Sequence, residues 1–266
     1  MSEDITHVLA GWDFQPDEIN VRLVEGDDGR TKIQLRLDLG LLQMEQDGRP
    51  DGQRPHDCDS LLDYFVEQQR EHDAAHPDEK PFQLDGEQCA QLLREGIQYY
   101  HRYISFWHLE RYDLCARDTG RNLRLLKFVR DHARRDQDRL QFDQWRPYIT
   151  MMHARSLATP LIEDEKYDEA LTAIDAAIAG IKRFLEEYQQ THRAEQCGEL
   201  VMLLKWRKEL LEQSRSKGGD GRPRDPINSL RAELEEAVAD ERYEDAARLR
   251  DQLRRLKGPG PTGENL

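Results

Sequence analysis

From Cys89 to Leu211 the apolar residues recur at steps of three and four, and nothing else in the chain restricts its fold as tightly. Cys89, Leu93, Ile97, Tyr100, Ile104 and Trp107 make one stripe, and Tyr112, Cys115, Leu123, Leu126 and Val129 a second. Trp145, Ile149, Met152, Leu157 and Leu161 make a third, with Pro160 expected to bend its last turn. The fourth is the most regular: Tyr167, Ala170, Leu171, Ile174, Ala177, Ile178, Ile181, Phe184, Leu185 and Tyr188. Cys197, Leu200, Val201, Leu204 and Leu211 make the fifth. Such spacing gathers apolar side chains on one face of a helix, and long one-faced helices bury that face against each other. Residues 59–213 are therefore expected to form an array of helical hairpins. A shorter helix opens it at Ser60, where Ser60 and Asp63 can serve exposed backbone donors, and carries Leu61, Leu62, Phe65 and Val66. Asp85 with Gln88 signals the next start.

The first 58 residues read differently. Ile19, Val21 and Leu23 alternate with polar residues, as do Ile33, Leu35, Leu37 and Leu39, and Gly26-Asp27-Asp28-Gly29 between them is a turn. This predicts an antiparallel hairpin with one buried face, covered by Trp12, Phe14 and later helices. Leu41, Leu42 and Met44 are expected to prolong the second strand past Gly40 through a bulge. A polar loop follows, in which Gly48, Pro50, Gly52 and Pro55 bracket Arg49, Asp51, Arg54 and His56. The fold class is thus α+β and mostly α, a β-hairpin packed on helical hairpins. Residues 214–226, rich in Gly, Ser, Pro and charge, read as a flexible linker, and residues 258–266 as a disordered tail.

Between linker and tail lie two short one-faced helices joined by a tight turn. The first carries Leu230, Leu234 and Ala237. The second carries Tyr243, Ala246, Ala247, Leu249 and Leu253, with Arg250 and Asp251 between the apolar positions. The small pair Ala246/Ala247 lets the two helices approach closely. A hairpin of about 30 residues is too small to bury a core of its own, so its stripe requires another surface. These ten residues are the candidate partner-binding site.

At these positions the chain resembles the UVR motif, the helical hairpin of the UvrB and UvrC excision-repair proteins, also found in adaptor proteins and some Clp-type ATPases. The resemblance is confined to residues 226–257. Tyr243-Glu244, the paired alanines and Leu249-Arg250-Asp251 carry it most specifically. Tyr243, Leu234 and Leu253 stand where the family has Phe, a Met-like residue and Ile. The resemblance implies a docking element whose partner is a UVR-bearing repair protein, a Clp-type ATPase or a second copy of the chain. Glu165-Lys166-Tyr167-Asp168-Glu169-Ala170-Leu171 resembles the second-helix entry of a tetratricopeptide unit, at a longer spacing than that family's. Glu110-Arg111-Tyr112-Asp113 echoes it 55 residues earlier, and Glu241-Arg242-Tyr243-Glu244 echoes both.

The formal net charge of −14 argues against broad duplex binding, which needs a Lys/Arg surface. The basic run Arg117, Arg121, Arg124, Lys127, Arg130, Arg134 and Arg135 is more simply a face balanced by acidic neighbours. The aromatics from Tyr99 to Tyr112 suit helix packing better than a base-stacking platform. Arg49, Arg54 and His56 suit a surface connection better than an anion site. His72 and His76 share a helix face but lack further ligands, and Cys58, Cys89, Cys115 and Cys197 form no C-x-x-C pair, so no metal is expected. Phosphate-loop, H-E-x-x-H and G-x-S-x-G motifs are missing, so neither a cofactor nor an enzymatic activity is expected. The acidic N-terminus has no apolar stretch after it, and the free thiols suit a reducing cytosol. The expected protein is a cytoplasmic, non-enzymatic adaptor with no membrane span. The alternative is an accessory of nucleotide excision repair that recruits a UVR-bearing nuclease or helicase to DNA.

Overall fold

The computed structural model describes residues 4–78, 80–217 and Leu249. The chain divides into two units, Met1–Glu212 and Gln213–Leu266, and the described residues belong almost wholly to the first.

A short helix α1 (Thr6–Leu9) precedes strands β1 (Val21–Glu25), β2 (Thr31–Leu37) and β3 (Gly40–Glu45), which pair antiparallel in sequence order. The β1–β2 turn forms where the sequence places it. Gly29 takes φ +71°, and its N–H bonds Gly26 O at 2.9 Å. Past Leu37 the expectation fails. The chain turns again through Asp38 and Leu39, with Asp38 Oδ1 accepting from Leu39 N (2.8 Å), and Gly40 pairs back with Leu37. Leu41, Leu42 and Met44 thus lie on a third strand rather than a bulged second one, and Leu39 sits at the tip, 91% exposed. The alternation of leucines ran through the turn, so apolar pattern alone could not locate it.

The central strand is buried on both faces. Ile33 and Leu35 join Met44, Tyr103, Phe106 and Cys115 in one cluster against the helices. Each fully buried aliphatic side chain of this kind contributes about 1.5–3 kcal/mol. On the other face Gln34 accepts from Arg22 (2.8 Å) and donates to Gln43 (2.9 Å), while Lys32 pairs with Asp28 and Glu45. Arg22 stacks on Trp12 at 4.0 Å. Trp12 therefore covers the polar face, and the helices cover the apolar one.

The helices are α2 (Leu61–Ala75), α3 (Gly86–His108), α4 (Tyr112–His132), α5 (Asp136–Asp143), α6 (Arg146–Glu163), α7 (Tyr167–Glu187) and α8 (Gly198–Lys217). Both expected starts are capped. Ser60 Oγ accepts from Asp63 N (3.1 Å), and Asp85 accepts from Glu87 N and Gln88 N while Gln88 returns a bond to Asp85 N. Such caps stabilise a helix by about 1 kcal/mol each. Helix α3 packs on α4, α4 on α6, and α6 on α7. Leu62, Phe65, Leu92, Leu125 and Val129 fill the first inter-helix core, and Ile174, Ile178, Ile181, Leu200 and Leu203 the second.

Three departures from the sequence reading stand out: α5, the end of α8 and the phase of α8. Helix α5 joins α4 to α6 where no helix was expected. Pro160 lies in the last turn of α6, where the sequence places it. Helix α8 continues through Lys217, so residues 214–217 are helical rather than linker. Its buried side is Leu200, Leu203 and Leu210, while Val201 and Leu204 are 45% and 42% exposed.

The echo in the sequence is an echo in the backbone. Glu110 and Glu165 take φ +56° and +61°. Arg111 N reaches back to Phe106 O (2.9 Å), and Lys166 N to Leu161 O (2.8 Å). Helices α3 and α6 thus end in the same left-handed turn, as does α7 with Gln189 at φ +55° and Gln190 N on Leu185 O (2.7 Å). These are Schellman closures, which satisfy the last carbonyls of a helix and usually place glycine at the left-handed position.

Candidate functional site

The polar loop after β3 is held by charge. Glu95 of α3 is fully buried, and its carboxylate accepts from Leu61 N (2.7 Å) and Leu62 N (3.2 Å), the open amide end of α2. Arg121 of α4 and Arg49 of the loop face the same carboxylate, Arg49 Nε at 3.3 Å. About two turns along α3, Arg102 is 1% exposed and grips Asp118 through two bonds, at 2.6 and 3.0 Å. Its remaining nitrogen donates to Glu45 O (3.0 Å) and Gly48 O (2.9 Å). Arg117 completes the set, donating to Asp47 (2.7 Å), Gln46 O (2.8 Å) and Asp118 (3.0 Å). The Tyr99 ring lies against Arg121 at 4.1 Å and Arg102 at 4.8 Å.

This arrangement is a clamp. It fixes the sheet-to-helix connection to α3 and α4, and its cations face carboxylates within the chain. Arg49 is thereby turned inward and is not offered to an outside anion. Arg54 is exposed and pairs with Asp59 (3.1 Å), and His56 stacks on Tyr64 at 4.0 Å.

Of the basic run, Arg117 and Arg121 belong to the clamp, Lys127 pairs with Asp131, Arg130 faces Asp131 and Asp143, and Arg135 pairs with Asp138. Arg124 and Arg134 are exposed. Among the aromatics, Tyr99, Tyr103 and Phe106 are buried, so they serve the core. His72 Nδ1 meets Asp73 (3.1 Å) and His76 Nδ1 meets His72 O (3.1 Å). The Gln69 amide, the Phe82 N–H and His72 hold the Asp73 carboxyl down at about 2. Among the described residues no group of three or more His, Cys, Asp or Glu is placed to hold a metal ion.

Burial also moves two imidazoles and two thiols of the body away from their ordinary values. Burial lowers the imidazoles of His101 and His153, and His153 Nδ1 contacts Thr119 Oγ1 at 3.0 Å. Burial raises the thiols of Cys89 and Cys115 to about 11. Both thiols are therefore protonated and inert near neutrality.

The body also leaves apolar surface uncovered where the sequence expected core. Ile97 and Trp145, 47% and 53% exposed, flank a hollow of about 460 Å³ between α3 and α6. Leu157, 40% exposed, lies in a second hollow over α6.

Of the ten candidate partner-binding residues, Leu249 alone is among the described residues, helical and half-buried. Leu230, Leu234, Ala237, Tyr243, Ala246, Ala247, Arg250, Asp251 and Leu253 lie outside them, as do the remainder of the expected linker from residue 218 and the tail. The sequence of this region is nonetheless decisive about its class. Residues 224–258 match the family model of the UvrB/uvrC motif, UVR, and that span contains all ten residues. The chain carries a UVR motif near its C-terminal end. No curated protein and no solved structure matches the chain. Among the described residues no helix is long and apolar enough to cross a membrane.

Proposed function

We propose that this protein is a non-enzymatic adaptor of the cytoplasm that docks a partner protein, or its own copy, through the UVR hairpin. The match at residues 224–258 carries this reading. The hairpin's apolar stripe supports it physically, since so short a hairpin gains stability only by covering Leu230, Leu234, Tyr243, Ala246, Leu249 and Leu253 with another surface. Arg250 and Asp251 set register and partner choice more than affinity. The candidate partners are a UVR-bearing repair protein and a Clp-type ATPase.

Replacing Tyr243 with Asp places a charge in the stripe and should abolish association while leaving the thermal unfolding of the body unchanged. Sedimentation of the variant and capture of purified UVR-bearing partners test this. Undiminished association in the variant removes the proposal.

A second reading, an accessory of nucleotide excision repair acting on DNA, is favoured by the motif's occurrence in UvrB and UvrC. The pairing of Arg117, Arg121, Lys127, Arg130 and Arg135 within the body weighs against direct DNA contact. This reading requires salt-sensitive binding to single-stranded or damaged DNA, so a gel-shift without binding at low salt eliminates it.

A further inference from the structure

The two echoed turns open onto one groove. The first turns of α4 and α7 flank the last turns of α6, and the space between them is about 880 Å³. Its floor is apolar, with Leu157 and Leu161 one helical turn apart on α6 and Ala116 and Ala173 beside them. Its rim is acidic, formed by Glu110, Asp113, Glu163 and Glu169, all four exposed. Lys166 lies near Glu169 but is held by Asp164 at 2.9 Å. The Tyr112 phenol on the same rim is held above its ordinary value by burial first, then by the fields of Glu110 and Glu163.

Asp113 and Glu169 have a local reason to be there: they stand in the first turns of α4 and α7, where the helix dipole favours negative charge. Glu110, at the left-handed position that closes α3, and Glu163 have none. Glu163 ends α6, at the carbonyl end, where the dipole disfavours it, and Asp164 and Glu165 follow directly. The last turn of α6 carries no basic residue. Glu163 thus adds negative charge that α6 itself does not stabilise, and Leu157, 40% exposed, lines the same groove.

We propose that the groove is a docking site for a cationic amphipathic helix of a partner protein. Apolar side chains at i and i+4 of that helix seat on Leu157 and Leu161, and flanking Lys or Arg residues meet Glu163 and Glu169 on one side and Glu110 and Asp113 on the other. Complementarity of charge selects this occupant over an acidic or neutral one, and a helix laid between helices is a recurring mode of peptide recognition. The lining residues of the site belong to the unit Met1–Glu212, and the UVR motif to the other unit. An adaptor so built binds two different proteins.

The test uses the full chain and a fluorescently labelled Leu/Lys peptide of about five helical turns, patterned to be apolar on one face. Fluorescence anisotropy should show saturable binding that weakens as salt is raised. A scrambled peptide of the same composition and a Leu/Glu peptide of the same pattern should bind at least about tenfold more weakly. The double variant Glu163→Lys/Glu169→Lys, and separately Leu157→Asp, should each lose about tenfold in affinity. The variant Glu18→Lys/Glu195→Lys, equal in net charge but distant in the fold, should bind as the parent does.

Glu163→Lys alone removes an unfavourable charge from a helix end, so its unfolding midpoint should not fall while its peptide affinity still drops, which separates lost binding from lost folding. Tyr243→Asp should leave peptide binding intact, so failure here and failure of the hairpin reading are distinguishable. Equal loss in the distant charge variant, or equal binding of the scrambled peptide, overturns the proposal. So does a purely self-associating groove, in which the chain sediments as a dimer that Leu157→Asp dissolves and the peptide does not displace.

Discussion

Replacing Glu95 with Ala should destabilise the body more than almost any other single truncation. Glu95 is fully buried and serves four partners: the Arg121 and Arg49 guanidinium groups and the N–H groups of Leu61 and Leu62. Removing one member of a buried ion pair costs about 3–5 kcal/mol, because the surviving charge has no compensation. The two amides at the start of α2 lose charge-assisted bonds worth about 1.5–3 kcal/mol each, partly recovered when that end opens to water. The total is about 4–6 kcal/mol, a large share of the 5–15 kcal/mol available to a typical domain.

Glu95→Gln should cost less, about 2–3 kcal/mol, since its one carbonyl oxygen still accepts from either Leu61 or Leu62, while its amide nitrogen serves neither the other N–H nor the arginines. Urea unfolding followed by circular dichroism measures both values. In the pair Glu95→Gln/Arg121→Met the two costs should fail to add by about 1–3 kcal/mol, because each change removes the reason for the other. A loss below about 1 kcal/mol for Glu95→Ala, with the unfolding slope unchanged, would refute this account of the clamp.

Other consequences can be measured independently. Gln189→Gly should raise stability by about 1 kcal/mol, or about 2–4 °C in midpoint, because it relieves a left-handed residue, whereas Gln189→Val should lower it. Burial holds the folded pKa of His101 and His153 below the unfolded value of about 6.5. The unfolded chain therefore binds more protons, and the contribution of these residues is complete above that pH and is lost as pH falls through the folded values. Thermal midpoints from pH 8 down to 5 should show this fall, and His153→Gln should flatten it. In native protein at pH 8 the half-exposed Cys58 and Cys197 should react with a disulfide reagent before Cys89 and Cys115, which should become available only on unfolding.

What was legible in the sequence was local. Ser60 and Asp85 mark helix starts because a cap and its amides lie within three residues of each other. The Glu-x-Tyr-acid echo marks the α3–α4 and α6–α7 corners because each turn is closed within six residues. The clamp was hidden because Arg49, Glu95 and Arg121 are brought together only by packing, and a loop arginine looks the same whether it faces water or a carboxylate. The phase of α8 was ambiguous because Leu200-Val201-Met202-Leu203-Leu204 is apolar all round, so no polar face fixes which side turns inward. Helix α5 escaped notice because Asp136–Asp143 shows no stripe and is fixed by Arg135–Asp138 and by Phe142 in the core. The UVR site was legible as a motif, since its small and charged residues follow a fixed order. The acidic groove was not legible, because its rim is drawn from three separate helices.

The dependence of α2 on Glu95 and Arg121 also bears on synthesis. The sheet and its connecting loop leave the ribosome first, yet the residues that seat them are translated tens of codons later. A nascent chain that ends before Arg121 carries a buried-type carboxylate without its main counter-charge, and α4, on which α3 packs, is unfinished. The amino-terminal part of this protein is therefore born waiting, and a chain stalled at that length should be cut readily by protease, whereas one extended past α4 should resist.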